Sequence, residues 1–209
     1  MNIELLLAFV IAALIVLVIP GPGVLYVITR SLLQGRQAGL VSVLGLSAGA
    51  LVHVAAATLG LSAILLVSSS AFTLVKWLGA AYLVYLGLRL LFARHPVEAE
   101  DELREQSRRR LFFDGVMVSI LNPKIAVFFL AFLPQFVTLD GIAIPLQLML
   151  LGLLYVALAV LTDGSYALLA SYLRRMISAR FMRGPVPAYA SGLVYLGLGI
   201  SLALADRKA

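Results

Sequence analysis

Long apolar runs alternate with short polar connections along this chain, and the runs are about as long as a membrane is thick. A helix that crosses a hydrocarbon layer needs ~20 mainly apolar residues. Six stretches meet that requirement: about 3 to 29, 39 to 66, 71 to 93, 112 to 136, 142 to 172 and 187 to 205. Only Ser68, Ser69 and Ser70 separate the second from the third. The large polar stretch, Ala93 to Arg110, reads as a solvated linker or short surface helix. The pattern therefore predicts an all-α, polytopic membrane protein with six transmembrane helices in one transmembrane domain, 1-209. The first run is read as a retained helix and not a cleaved leader. Glu4 stands where a leader is basic, no A-x-A-like site follows, and apolar sequence continues to Thr29.

Composition sharpens the picture. The chain is 62% hydrophobic and 12% charged, against ~25% charged in ordinary soluble domains. The net charge of +6 does not point to nucleic acid, because most Lys and Arg sit in short connections and not on one soluble face. With six spans, connections one, three and five share a side and carry Arg30, Arg36, Arg89, Arg94, Arg104, Arg108, Arg109, Arg110, Arg174, Arg175, Arg180 and Arg183. The other side has Lys76, Arg207 and Lys208. The positive-inside bias makes the first set cytoplasmic and both termini periplasmic. Trp77, Tyr82, Tyr85 and Tyr189 are candidate interfacial anchors. No cysteine is present, which excludes disulfides and thiol chemistry.

A short identity suggests duplication. L-V-Y-L-G-L occurs at Leu83 to Leu88 and again at Leu193 to Leu198. In the same frame, I-P-G-P at Ile19 to Pro22 and L-N-P-K at Leu121 to Lys124 break the first and fourth spans. Three spans is an odd number, so a tandem copy inserts upside down. The expected layout is an inverted 3+3 repeat with broken helices 1 and 4: a first repeat over 1-93, a cytoplasmic linker over 94-111 and a second repeat over 112-209. Paired interrupted helices in inverted halves are a sequence pointer to a transporter's binding site.

The breaks have chemistry. Asn is a strong N-cap and Pro suits the first position of a helix, so Asn122 and Pro123 read as the start of a half-helix. Pro20, Gly21, Pro22 and Gly23 can do the same in the first span. Half-helix N-termini offer unpaired N–H groups to an anion such as a substrate carboxylate, and Lys124 adds a full positive charge. Lys124 either serves that site or its gate, or pairs with backbone carbonyls. Asp163 is a deep carboxylate that fits a substrate ammonium, a coupling proton or an ion pair with Lys124. His53 reads as a proton relay or an interhelical hydrogen bonder. Gly35, Gly39, Gly45 and Gly49 form two small-xxx-small pairs, suited to internal packing or to a homodimer face. Asp114 and Glu4 sit at span ends and receive no functional role.

The residues that carry these features also resemble a known family. I-P-G-P-G-V-L-Y, G-R-Q-A-G-L, K-W-L-G-A-A-Y-L-V-Y-L-G-L-R-L-L and D-G-V-M-V-S-I-L-N-P-K-I-A-V-F-F-L-A-F-L-P-Q-F are similar to the LysE/RhtB family of bacterial amino-acid exporters. The resemblance covers almost the whole chain. It implies a proton-driven exporter in the inner membrane, with Pro20, Gly21, Pro22, Asn122, Pro123 and Lys124 as its signature. Gly23 departs from the Asn usual in that family, and Asp114 from its Gln. The implied partners are an amino-acid substrate, protons and membrane lipid, with no cofactor. A metal or inorganic ion exporter is the alternative, against which stands the lack of paired acids or His and Cys clusters. No H-E-x-x-H motif or P-loop is present, so an enzyme or a direct ATP drive is not expected.

Overall fold

The computed structural model describes residues 3–61, 106–138 and 142–173, with single positions at 77, 81, 84, 85, 88 and 200. The predicted third span, sixth span, most of the linker and most of the L-V-Y-L-G-L repeat lie outside the described residues. Among those described, all regular structure is helical. Helix α1 covers Ile3–Val18 and α2 covers Pro22–Gln34, the two axes bent by 52°. Gly35, at φ 83, ends α2 with its N–H on the Ser31 carbonyl and opens α3, Arg36–Ala56. A backbone with positive φ favours glycine there. A π-helical turn at Ala57–Leu61 prolongs α3.

Helix α4, Arg108–Ile120, begins one turn earlier than its pattern predicts, because Ser107 supplies an N-cap to the Arg110 N–H. Helix α5, Pro123–Val127, continues through a π-helical turn, Phe128–Phe132, and a 3-10 turn, Leu133–Phe136; its axis is bent by 46° from α4. Helix α6, Ile144–Tyr172, runs close to its predicted bounds. Helices α3 and α6 are each long and apolar enough to cross a membrane, and the two bent pairs qualify if each is one span. Their outer faces carry exposed Leu7, Ile11, Leu44, Leu161 and Leu169, as expected where the solvent is lipid.

Helices α3 and α4 run parallel. Gln37 meets Arg108 at one end, Gly45 lies on Phe112 and Gly115, and Gly49 lies on Ser119. A side chain at Gly45 would strike the Phe112 carbonyl, so only glycine permits this approach. Gly39 in turn lies against Ser31 and Ala167 of α6. Gly39, Gly45 and Gly49 are thus consumed inside the molecule, not on a dimer face. Helix α6 is antiparallel to α3, with Gly152 against Val54. Phe9, Phe128, Phe129, Leu148, Leu151 and Tyr155 form the core beside the bends, the Phe128 and Tyr155 rings 4.6 Å apart. Arg36, Arg108, Arg109 and Arg110 gather at one end of the bundle.

Candidate functional site

A proline removes the N–H that would bond the carbonyl four residues earlier. Pro20 therefore frees the Val16 carbonyl and Pro22 that of Val18, while Pro123 takes from the Ser119 carbonyl its helical partner and leaves it the Asn122 N–H at 3.1 Å. A free carbonyl inside a membrane costs several kcal/mol unless another donor reaches it. Each has one. The Lys124 ammonium donates to the Val16 carbonyl at 3.1 Å and to the Ile19 carbonyl at 3.0 Å. The Tyr166 hydroxyl donates to the Val18 carbonyl at 2.6 Å. His53 bonds the Ser119 carbonyl from Nε2 at 3.1 Å; that carbonyl can only accept, so Nε2 carries the hydrogen.

These contacts join the two bends. Lys124, 5% exposed, comes from the start of α5 but closes the end of α1. A cation at a helix C-terminus also meets the negative end of the helix dipole. Asn122 caps α5, its Oδ1 accepting from the Lys124 backbone N–H at 3.0 Å. Gly21 caps α2 in an extended conformation with no side-chain bond, so the first N–H groups of α2 have no side-chain acceptor there.

Beside the joint lies a cavity of about 30 Å³, lined by Gly23, Ser47, Asn122, Lys124 and Asp163 and by apolar side chains that include Tyr155. That volume holds one or two waters, far less than an amino acid. Asp163 is 9% exposed. Among the described residues nothing donates a hydrogen bond to its carboxylate, and it forms no direct ion pair with Lys124, although each feels the other's charge.

Of the residues singled out in the sequence, Gly23, Asn122, Lys124 and Asp163 share this cavity. Pro20, Gly21, Pro22 and Pro123 shape the bends without lining it. His53 lies apart, stacked on Phe129 at 6.0 Å. Other polar residues were not read as structural ties in the sequence: half-buried Tyr166; buried Gln147, which bonds Thr138 and Ile142 ahead of α6; and Arg30, read there only as a connection charge but buried over the Tyr26 ring. A proline four residues ahead of a carbonyl is the signal that a donor such as Tyr166 is needed; Gln147 and Arg30 carry no such signal.

The chain matches the model of the LysE type translocator family over residues 14–206. It is 33% identical to an uncharacterized membrane protein of Vibrio cholerae, over 98% of this chain and 99% of that one. It is 32% identical to the uncharacterized membrane protein YrhP of Bacillus subtilis, over 95% and 98%. Identity to a homoserine/homoserine lactone efflux protein of Salmonella typhimurium is 30%, over 88% of this chain and 87% of the relative. No solved structure matches. With its apolar helices and with relatives named as membrane and efflux proteins, the chain belongs to the LysE type translocator family, and is a membrane transport protein rather than an enzyme.

Proposed function

We propose that this protein exports amino acids or their derivatives across the bacterial inner membrane by proton antiport, with the cavity between the bends as the cargo site. The observation that carries the reading is the placement of Asp163, a buried carboxylate to which no described residue donates a hydrogen bond, on a cavity shared with the joint between two proline-broken helices. A buried carboxylate needs a positive partner. A substrate ammonium and a proton are both such partners, and they exclude each other. That exclusion is the elementary requirement of antiport: the site releases cargo outward when a proton takes the carboxylate, and takes cargo inward of the barrier when the proton leaves.

The substrate carboxylate fits the uncapped N-terminus of α2, where Gly23 and Val24 line the cavity. Asn122 already occupies the first N–H of α5, so Asn122, Pro123 and Lys124 shape the site while α2 receives the anion. The cavity must widen for cargo to enter, which requires the Lys124 and Tyr166 contacts to α1 to loosen. The name of the Salmonella relative supports an amino-acid derivative as cargo. Among the described residues no group of three His, Asp or Glu side chains could hold a metal, which favours amino acids over inorganic ions.

The whole chain follows as one transmembrane domain in an inverted 3+3 repeat. The parallel run of α3 and α4 supports this: the chain leaves α3 at one end and re-enters α4 at the other, as it would after a third span. The arginine-rich end is cytoplasmic and both termini are periplasmic. Proteoliposomes loaded with labelled amino acids test the reading. Efflux of at least one should accelerate with acid outside and lose that acceleration in Asp163→Asn. Equal leak from protein-free vesicles for every amino acid would sink it.

A further inference from the structure

The walls of the cavity are held in different ways. Helices α3 and α6 touch through glycine on either side of it, at Gly39 on Ala167 and at Gly152 on Val54. Between those two contacts the same helices contribute Ser47, Ala50, Tyr155, Ala159 and Asp163 to the lining. A close glycine contact has no side chain to rotate away, so this wall keeps its shape. The facing wall comes from α1, α2 and α5 at the bends, where the bonds to α1 loosen as cargo enters. Along α6 the lining residues are spaced by four, so Tyr155, Ala159 and Asp163 share one face at intervals of ~6 Å. Ala167, next in that series, is fully buried against Gly39 and does not line the cavity. The space beside Asp163 therefore extends along α6 in one direction, toward Ala159 and Tyr155. Tyr155 closes it: the residue is 1% exposed, its ring 4.6 Å from that of Phe128 and 5.1 Å from that of Phe129.

We infer that Ala159 is a specificity-determining residue: cargo lies along α6 with its ammonium on Asp163 and its side chain over Ala159, so that the size of residue 159 sets the longest side chain exported. This assignment rests on the exporter reading and adds what the site measures. With the ammonium on Asp163, the carboxylate goes to the start of α2, where the Asn122 amide and the Lys124 ammonium also line the cavity. The side chain is left the direction of Ala159. Leu46, Ala50 and Ile125 wall that space, so what is measured there is aliphatic bulk. Ala159 offers a single methyl group between a carboxylate and a fixed ring. Each methylene that fits or fails to fit such a pocket changes the rate by roughly 10-fold or more.

The test uses the full-length protein in proteoliposomes loaded in turn with labelled alanine, 2-aminobutyrate, norvaline and norleucine. This series grows by one methylene at a time while both charged groups stay the same. The readout is the efflux rate of the longest member that the wild type exports, divided by that of the shortest. The ratio should be lower by ~10-fold or more in Ala159→Leu than in Ala159→Gly. If Ala159→Leu does not fold, Ala159→Gly decides against the wild type, and its ratio should be ~3-fold higher. Equal ratios, with efflux of every member scaled alike, would overturn the inference and leave the exporter reading intact. So would a wild type that exports other amino acids but fewer than two of this series. Failure of the wild type to export any amino acid would overturn both.

Discussion

Lys124, Tyr166 and His53 share a task that is set by prolines elsewhere in the chain. Each donates to a carbonyl whose helical partner a proline has removed. Lys124→Met should therefore destabilise the protein by ~1–3 kcal/mol, read as a lower melting temperature in detergent. Restoring the missing N–H should repair part of that loss. Pro20→Ala in the Lys124→Met background is expected to recover ~1 kcal/mol, a coupling that a double-mutant cycle measures. Additive losses would show that the lysine does not serve the carbonyl that Pro20 frees. The breaks themselves were legible in the sequence, since Pro, Gly and Asn act through local backbone geometry. The partner of Lys124 was not, because a backbone acceptor more than one hundred residues away leaves no mark on side-chain patterning. The same holds for Asp163. Its burial was readable from its place in an apolar run, but not that it would share a cavity with Lys124 without pairing to it directly.

At the scale of elements, two kinds of device hold the helices: caps that start them and glycines that let them touch. Asn122→Ala removes the cap of α5 and should cost ~1 kcal/mol. Its effect on efflux should exceed what that loss predicts, because Asn122 also lines the cavity. Gly45→Val is expected to be far more damaging to folding, since a side chain there collides with the Phe112 backbone, and backbone cannot rotate away. The yield of folded protein by size-exclusion chromatography is the readout, and a Gly45→Val protein of normal yield and melting temperature would contradict the α3–α4 crossing. Periodicity alone located α3 and α6, because long apolar runs have no other use at that length. It could not say that α3 and α4 lie parallel, or that Gly45 and Gly49 face α4 and not a second copy, because small residues suit both.

For the whole molecule, orientation follows from where the arginines lie and is testable because the chain has no cysteine. Glu4→Cys and Ser107→Cys place single exposed thiols at the start of α1 and in the predicted linker, just ahead of α4. A membrane-impermeant thiol reagent added to intact spheroplasts should label the first and spare the second until the membrane is opened. The reverse pattern would invert the proposed direction of transport.

The central claim is that cargo passes through the cavity where the two broken helices meet. Ser47→Cys puts the molecule's only thiol on the wall of that cavity at nearly unchanged volume. The rate at which a small alkylating reagent modifies it, measured with and without an exported amino acid, tests the claim most directly. Cargo should slow alkylation, and complete alkylation should stop efflux. An alkylation rate indifferent to every exported amino acid, with efflux surviving full modification, would contradict it.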